Sequence, residues 1–292
     1  MSNNKIKVLV IDDSALVRKM LAEILESDRE IDVVGTAADP LIARDKIKKL
    51  KPDVLTLDVE MPNMDGISFL SNLMRLRPMP VVMVSTLTED GAEITLDALE
   101  LGAIDFITKP KIDFGNSIEK YSEELIEKVK IASVAKVKSS STNRKKTHRE
   151  VSKLSVEKKH SADAILQLDS VKRNYKLTDS IIAIGASTGG TEAIREVLED
   201  MPASSPAIVI TQHIPEKFST SFALRMDKLS AMKVCEAKDG QQIIPGHAYI
   251  APGGQHMLVE RSGARYICRL NNGPAVNRHK SSVNVLCNDN SW

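Results

Sequence analysis

The sequence predicts an α/β protein: two parallel-sheet domains on either side of a charged, flexible linker. Three observations lead there. At 292 residues and 42% hydrophobic content, the chain holds enough apolar material for two cores. Over residues 3–125, short apolar runs alternate with amphipathic stretches, as βαβ units require. The alternation lapses over 126–178 and resumes over 179–292, which sets the expected domain limits.

In the first region the strand candidates are IKVLVI (6–11), IDVVGTA (31–37), DVLTL (53–57), PVVMV (80–84) and AIDFI (103–107). Between them, 14–27, 40–50, 65–76 and 89–101 carry apolar residues at helical spacing, and 117–134 supplies a fifth helix. Strands this continuously apolar belong to a sheet covered on both faces. The linker stretch VKSSSTNRKKTHREVSKLSVEKKHSAD is rich in Ser and Lys and has no sustained period. It cannot bury enough surface to offset its ordering entropy, and it lacks aromatics for stacking on bases. It reads as a solvated tether. Order returns with SIIAIGAS (180–187), helix TEAIREVLED (191–200), strand AIVIT (207–211) and helix EKFSTSFALRMDKL (216–229). The β-like pieces MKVCEA, HAYIAP, HMLVE and ARYICRL follow, separated by DG, PGG and SG turns.

Forty basic residues against 39 acidic ones give +1, so no global field draws the chain to nucleic acid or an anionic membrane. Cys235, Cys268 and Cys287 are scattered and outside any CxxC spacing, which fits a reducing compartment rather than a disulfide framework or zinc site. No apolar run approaches the ~20 residues of a membrane span. The start MSNNKIK leaves no room for a signal peptide before the first strand. The expectation is a cytoplasmic protein with no nucleic-acid partner and no direct membrane insertion.

In a parallel α/β sheet, ligands gather at the carboxyl ends of the strands. Asp12 and Asp13 follow the first strand, Asp58 the third, Ser85 the fourth and Lys109 the fifth. Each acid alone reads as a helix cap or turn former. Placed together, they form a cluster whose mutual repulsion a hard divalent cation such as Mg²⁺ would relieve. Asp58 could then attack phosphorus, with Lys109 balancing charge and the Ser85 hydroxyl meeting the new oxygens.

The second region offers GASTGG at 185–190. It is no P-loop, since Thr191 and Glu192 stand where Lys is needed. The spacing of Gly185, Gly189 and Gly190 is wrong for a dinucleotide fingerprint, and no acid ends the next strand, which disfavours a nucleotide. The remaining reading makes Ser187 a nucleophile at a strand-to-helix turn, with His213 at the end of the next strand as its base. By pattern alone Ser187 serves equally as a helix cap, and His213 as a structural histidine.

The motifs VIDDS (10–14), LDVEMPNMDG (57–66), VSTLT (84–88) and GAIDFITKP (102–110) closely resemble the response-regulator receiver family. That resemblance implies a flavodoxin-like (βα)5 fold with Asp58 as phospho-acceptor. Asp13 and Asp58 would bind Mg²⁺ directly, with Asp12 nearby and the main-chain carbonyl of Glu60 completing the ligands. Ser85 would be the switch hydroxyl, Phe106 the aromatic that re-packs with it, and Lys109 the phosphate contact. In the second half, IGASTGGTEAIREVL (184–198), SSPAIVITQHIP (204–215), PGHAYIAPGGQHM (245–257) and GPAVNRHK (273–280) resemble the chemotaxis protein-glutamate methylesterases. This family hydrolyses γ-glutamyl methyl esters on chemoreceptors, releasing methanol, and deamidates receptor glutamines. The resemblance implies a Rossmann-like domain with Ser187 as nucleophile, His213 as general base and Thr188 in the oxyanion region. The implied partners are a chemotaxis histidine kinase as phosphodonor and methyl-accepting chemotaxis receptors as substrate. No organic cofactor is implied. Because an esterase site and a receiver share one chain across a flexible tether, the receiver is expected to cover the Ser187–His213 edge until phosphorylated.

The family pattern is not followed throughout. Ser281 and Asn284 stand where the family has Pro and Asp, and the Gly-Met-Gly-x-Asp-Gly-Ala stretch carrying its triad acid does not occur in these 292 residues. Asp289 is a poor substitute. The sequence therefore predicts a methylesterase domain truncated at its C-terminus, incomplete as a sheet, and slowed roughly 10⁴-fold for want of the acid. The competing reading is a receiver with a non-catalytic effector that drains phosphoryl groups. A DNA-binding effector is excluded, because the strand-rich 232–270 region offers no helix-turn-helix.

Overall fold

Capping residues turn each early strand into its helix. The computed structural model describes residues 5–61, 64–86, 88–109, 117–137 and 180–273. Its first part runs β1 (Ile6–Ile11), α1 (Ala15–Glu26), β2 (Ile31–Ala37), α2 (Pro40–Leu50), β3 (Val54–Asp58), α3 (Gly66–Leu76), β4 (Val81–Ser85), α4 (Glu89–Glu100), β5 (Asp105–Thr108) and α5 (Ser117–Val134). The side chains of Ser14, Asp39, Asp65 and Thr88 accept first-turn N–H groups of α1 to α4, each worth about 1 kcal/mol. The strands pair in parallel in the order β2-β1-β3-β4-β5, the expected flavodoxin-like arrangement. Alternation along β1 sends Val8 and Val10 to one face with Leu21, Leu25 and Val129, and Leu9 and Ile11 to the other with Ile47 and Leu70.

The helix expected over 117–134 forms as α5, so a linker starting at 126 would begin inside it. That helix continues to Val134, because Leu125, Val129 and Ala132 extend one apolar stripe into the core. The tether residues 138–179, the NRHK motif, Cys287 and Asp289 lie outside the described residues.

The second part runs β6 (Ile181–Ala186), α6 (Gly190–Asp200), β7 (Ala207–Gln212), α7 (Glu216–Leu229), β8 (Lys233–Glu236), β9 (Gln242–Ile243), β10 (His247–Ile250), β11 (His256–Ser262) and β12 (Arg265–Asn271). β6-β7-β10-β8 form a parallel sheet and β11-β12-β9 an antiparallel one. The two sheets close on a core that includes Val209, Tyr249, Met257, Val259 and Cys268. β9 has two residues, too few to leave a period in the sequence.

A single apolar cluster passes from Leu96, Leu99 and Phe106 to Ile194, Phe222 and Met226, so α4 and β5 pack onto α6 and α7. The Phe106 and Phe218 rings stack with centroids 4.8 Å apart and 10° between planes. Arg225 on α7 reaches Asp97 at 2.7 Å and Glu100 at 2.6 Å on α4. No helix among the described residues is long and apolar enough to cross a membrane.

Candidate functional site

Parallel register brings the first cluster together. β1 pairs Ile11 with Leu57 and β3 pairs Asp58 with Val84, so the carboxyl ends of β1, β3 and β4 share one edge. Ligand oxygens of Asp12, Asp13 and Asp58 lie within 4.8 Å of one another. None of the three is the N-cap of α1 or α3, since Ser14 and Asp65 take those places. Asp12 Oδ1 accepts the Ser14 N–H at 2.8 Å, while its buried Oδ2 has no hydrogen-bond partner among the described residues. Lys109 Nζ donates to Asp58 Oδ2 at 2.8 Å and lies 3.5 Å from Asp12 Oδ2. Gly66 is required beside this pocket, because a Cβ there would sit 2.1 Å from the Asp58 carbonyl oxygen.

Burial pushes the Asp58 carboxyl up to about 6, with the Asp12 charge adding to the rise and Lys109 opposing it. Asp12 is raised by burial as well. Burial lowers Lys109, but its bond to Asp58 and the two carboxylate charges outweigh that and hold it above the usual lysine value. Asp58 holds its proton more tightly folded than unfolded, so ionisation opposes folding as pH rises from 3.8 and fully so above about 6. In metal-free buffer, Asp58→Asn is expected to stabilise the fold by on the order of 1–3 kcal/mol at pH 7 and by little below pH 4. Urea unfolding at both pH values checks this, and equal gains at the two would refute it.

Ser85, the expected switch hydroxyl, is bonded into α4: Thr95 Oγ1 donates to it at 2.7 Å and it reaches the Gly91 carbonyl at 3.3 Å. Phe106 is buried, with the Lys128 ammonium 5.3 Å from its ring centroid. The Glu60 N–H donates to Asp58 Oδ1 at 3.2 Å, tying the residue expected to offer its carbonyl to the pocket.

The second cluster is also set by register. β6 pairs Ala186 with Gln212 of β7, so the next residues, Ser187 and His213, emerge side by side. Ser187 Oγ lies 3.2 Å from His213 Nδ1. Gly189, at φ +76°, is the N-cap of α6, and no side chain caps that helix. Ser187 is therefore free of the cap role, and the first-turn N–H groups of α6 begin beside it. Buried Gln212 ties the pair together, its Nε2 donating to the Ser187 carbonyl at 3.0 Å and the His213 carbonyl at 3.4 Å. Gly190 makes room for Gln212, whose Oε1 would lie 2.2 Å from a Cβ there.

Comparison with known proteins shows what these two clusters belong to. The response regulator receiver domain matches residues 8–121 and the CheB methylesterase domain residues 182–290. A protein-glutamate methylesterase/protein-glutamine glutaminase 1 of Xanthomonas euvesicatoria pv. vesicatoria is 57% identical over 281 residues, 96% of this chain and 75% of that protein. The chain belongs to this methylesterase/glutaminase family. A second relative of the family, from Hydrogenovibrio crunogenus, is 56% identical over 97% of this chain and 78% of its own length. The response regulator domain of Thermotoga maritima CheB is 47% identical, covering 46% of this chain and 99% of that one, with a TM-score of 0.42.

Sequence reasoning named both clusters but missed the residues that join or brace them. Gln212 carried one signal, its place beside His213 at a strand end. Phe218, Arg225 and Thr95 carried none, because their partners lie 112, 125–128 and 10 residues away along the chain.

Proposed function

We propose that this protein hydrolyses γ-glutamyl methyl esters of methyl-accepting chemotaxis receptors, deamidates receptor glutamines, and is controlled by phosphoryl transfer to Asp58. The observation that carries the reading is the Ser187–His213 contact at 3.2 Å on the same polypeptide as the Asp12–Asp13–Asp58–Lys109 pocket. His213 accepts through Nδ1, so its working tautomer carries the proton on Nε2. Ser187 Oγ passes its proton to Nδ1 and bonds to the ester carbonyl carbon. The resulting oxyanion faces the N–H groups of Thr188 and the start of α6. Collapse breaks the C–O bond to methoxide, which takes the proton from His213 and leaves as methanol. Water then repeats the sequence on the acyl-serine, freeing the glutamate carboxylate and restoring Ser187. With glutamine as substrate, ammonia leaves in place of methanol.

The pocket fits Mg²⁺: three carboxylate oxygens crowd together, Asp12 Oδ2 is buried without a hydrogen bond, and burial has raised Asp58. Asp12, Asp13, Asp58 and the Glu60 main-chain carbonyl would hold the ion, which would supply charge to offset that of a phosphoryl group. A chemotaxis histidine kinase or a small phosphodonor supplies that group. A cytoplasmic setting fits the free thiols Cys235 and Cys268.

We assign the receiver a covering role over the hydrolase. A cavity of about 250 Å³ beside His213 is walled on its other side by Phe106, Thr108 and Lys128. Phosphorylation would draw Ser85 away from Gly91 and Thr95, loosening α4, the Phe106–Phe218 stack and the Arg225 pairs. Arg225→Ala is expected to raise the methanol release of unphosphorylated protein about two- to fivefold at low salt, and less at high salt. No rise at either salt would leave activation by the phosphorylated receiver without release from inhibition. The methylesterase assignment itself is tested by methanol release from methylated receptor against a Ser187→Ala control.

A further inference from the structure

The face formed by α2 and α3 takes no part in either cluster, yet it is built to receive something. A groove of about 460 Å³ runs between the two helices, the size of a bound-ligand cavity. Its floor is apolar and recessed, with Ile47, Phe69 and Leu73 each less than a tenth exposed. At its edges Leu41 and Leu76 stand 61% and 70% exposed, an uncommon use of two large apolar side chains on a surface otherwise rich in charge. The rim is basic: Arg44, Lys48 and Arg77 line it, and no carboxylate does among the described residues, although Arg44 also meets its neighbour Asp45 at 3.3 Å. Arg77 gives one of its five donors to the Ile47 carbonyl, which fixes its guanidinium at the groove.

We propose that this groove docks an acidic amphipathic helix of a partner protein. Two helices side by side leave a furrow that a third helix fills ridge into groove, burying apolar residues at i, i+3, i+4 and i+7. Carboxylates flanking that stripe would meet Arg44, Lys48 and Arg77, so apolar burial supplies affinity and charge supplies choice of partner and speed of association. A basic helix would meet like charge on both sides. A bilayer is the poorer occupant, because Ile47, Phe69 and Leu73 lie recessed between the exposed Leu41 and Leu76, where a helix reaches them and a flat surface does not. None of α4, β5, α6 or α7 lines the groove, so among the described residues the packing of receiver on hydrolase leaves it uncovered.

The test uses the full chain and a labelled model peptide of about five helical turns. It carries a Leu stripe flanked by Glu, and a twin replaces each Glu by Lys. Fluorescence anisotropy is expected to show the acidic peptide binding at least tenfold more tightly than its twin. Leu76→Glu should weaken it at least tenfold, and since Leu76 is 70% exposed this change does not threaten the fold. Arg44→Glu with Lys48→Glu should reverse the preference between the twins. Equal binding of the two peptides, no binding of either, or indifference to Leu76→Glu would overturn the proposal. So would a concentration-dependent dimer that Leu76→Glu abolishes, which would make the occupant a second copy. Binding to phosphatidylglycerol vesicles without peptide binding would make it a lipid surface and would equally overturn the proposal.

Discussion

Asp58→Asn is expected to remove phosphoryl incorporation entirely, whether the donor is a phosphorylated histidine kinase or a small phosphodonor. In the transfer, an Asp58 oxygen bonds to phosphorus as the bond between phosphorus and the donor breaks. The acyl phosphate adds about −1.5 to −2 charges next to two other carboxylates. Lys109, 2.8 Å from Asp58 Oδ2, is the counter-charge already in place. An asparagine amide has neither the nucleophilic oxygen nor the charge. The pH dependence arises from the same burial. Without a divalent cation, burial holds the Asp58 carboxyl up at about 6. With Mg²⁺, which labelling is expected to require, protonation and the accompanying fall in labelling should move to lower pH, because a cation favours the carboxylate. An NMR titration of the Asp58 carboxyl with and without Mg²⁺ reads the shift independently of labelling. Persistent labelling of Asp58→Asn at the normal rate would refute the assignment.

Ser187→Ala should bring methanol release down to the residual level left by binding and the oxyanion site. For a Ser–His pair working without a third acid, loss of the serine should cost on the order of 10²-fold in turnover, the part of a full triad's roughly 10⁶-fold that remains once the acid's ~10⁴-fold is gone. The unit can be recognised by its non-additivity. His213→Ala alone should cost a similar factor, and the double variant little more than either single one. Receptor binding should survive both substitutions, since neither group is needed to hold the ester in place. Additive losses would show that Ser187 and His213 act separately, despite their 3.2 Å contact. If the unsubstituted chain released no methanol while Asp58 still accepted phosphate, the protein would be a phosphoryl sink rather than an esterase.

The sequence alone determined the class of fold and the chemistry at the strand ends. Parallel strands buried on both faces must be apolar throughout, so the five runs from IKVLVI to AIDFI announced themselves. Residues just past the strands gather on one edge of the sheet, so Asp12, Asp58 and Lys109, and separately Ser187 and His213, group together on the sequence pattern alone. Sequence could not decide whether an acid or serine after a strand caps a helix or stands free. The structure decided it, because Ser14, Asp65 and Gly189 take the caps and release Asp12, Asp58 and Ser187. Helical spacing over 117–134 did locate α5, but the shift to a Lys- and Glu-rich surface put the domain limit inside that helix. Docking of the two domains was the least legible of all. Phe106 on Phe218 and Arg225 on Asp97 and Glu100 are contacts between residues more than 100 positions apart. Their partners are chosen by shape and charge in three dimensions, and neither residue leaves a period or a spacing in the chain.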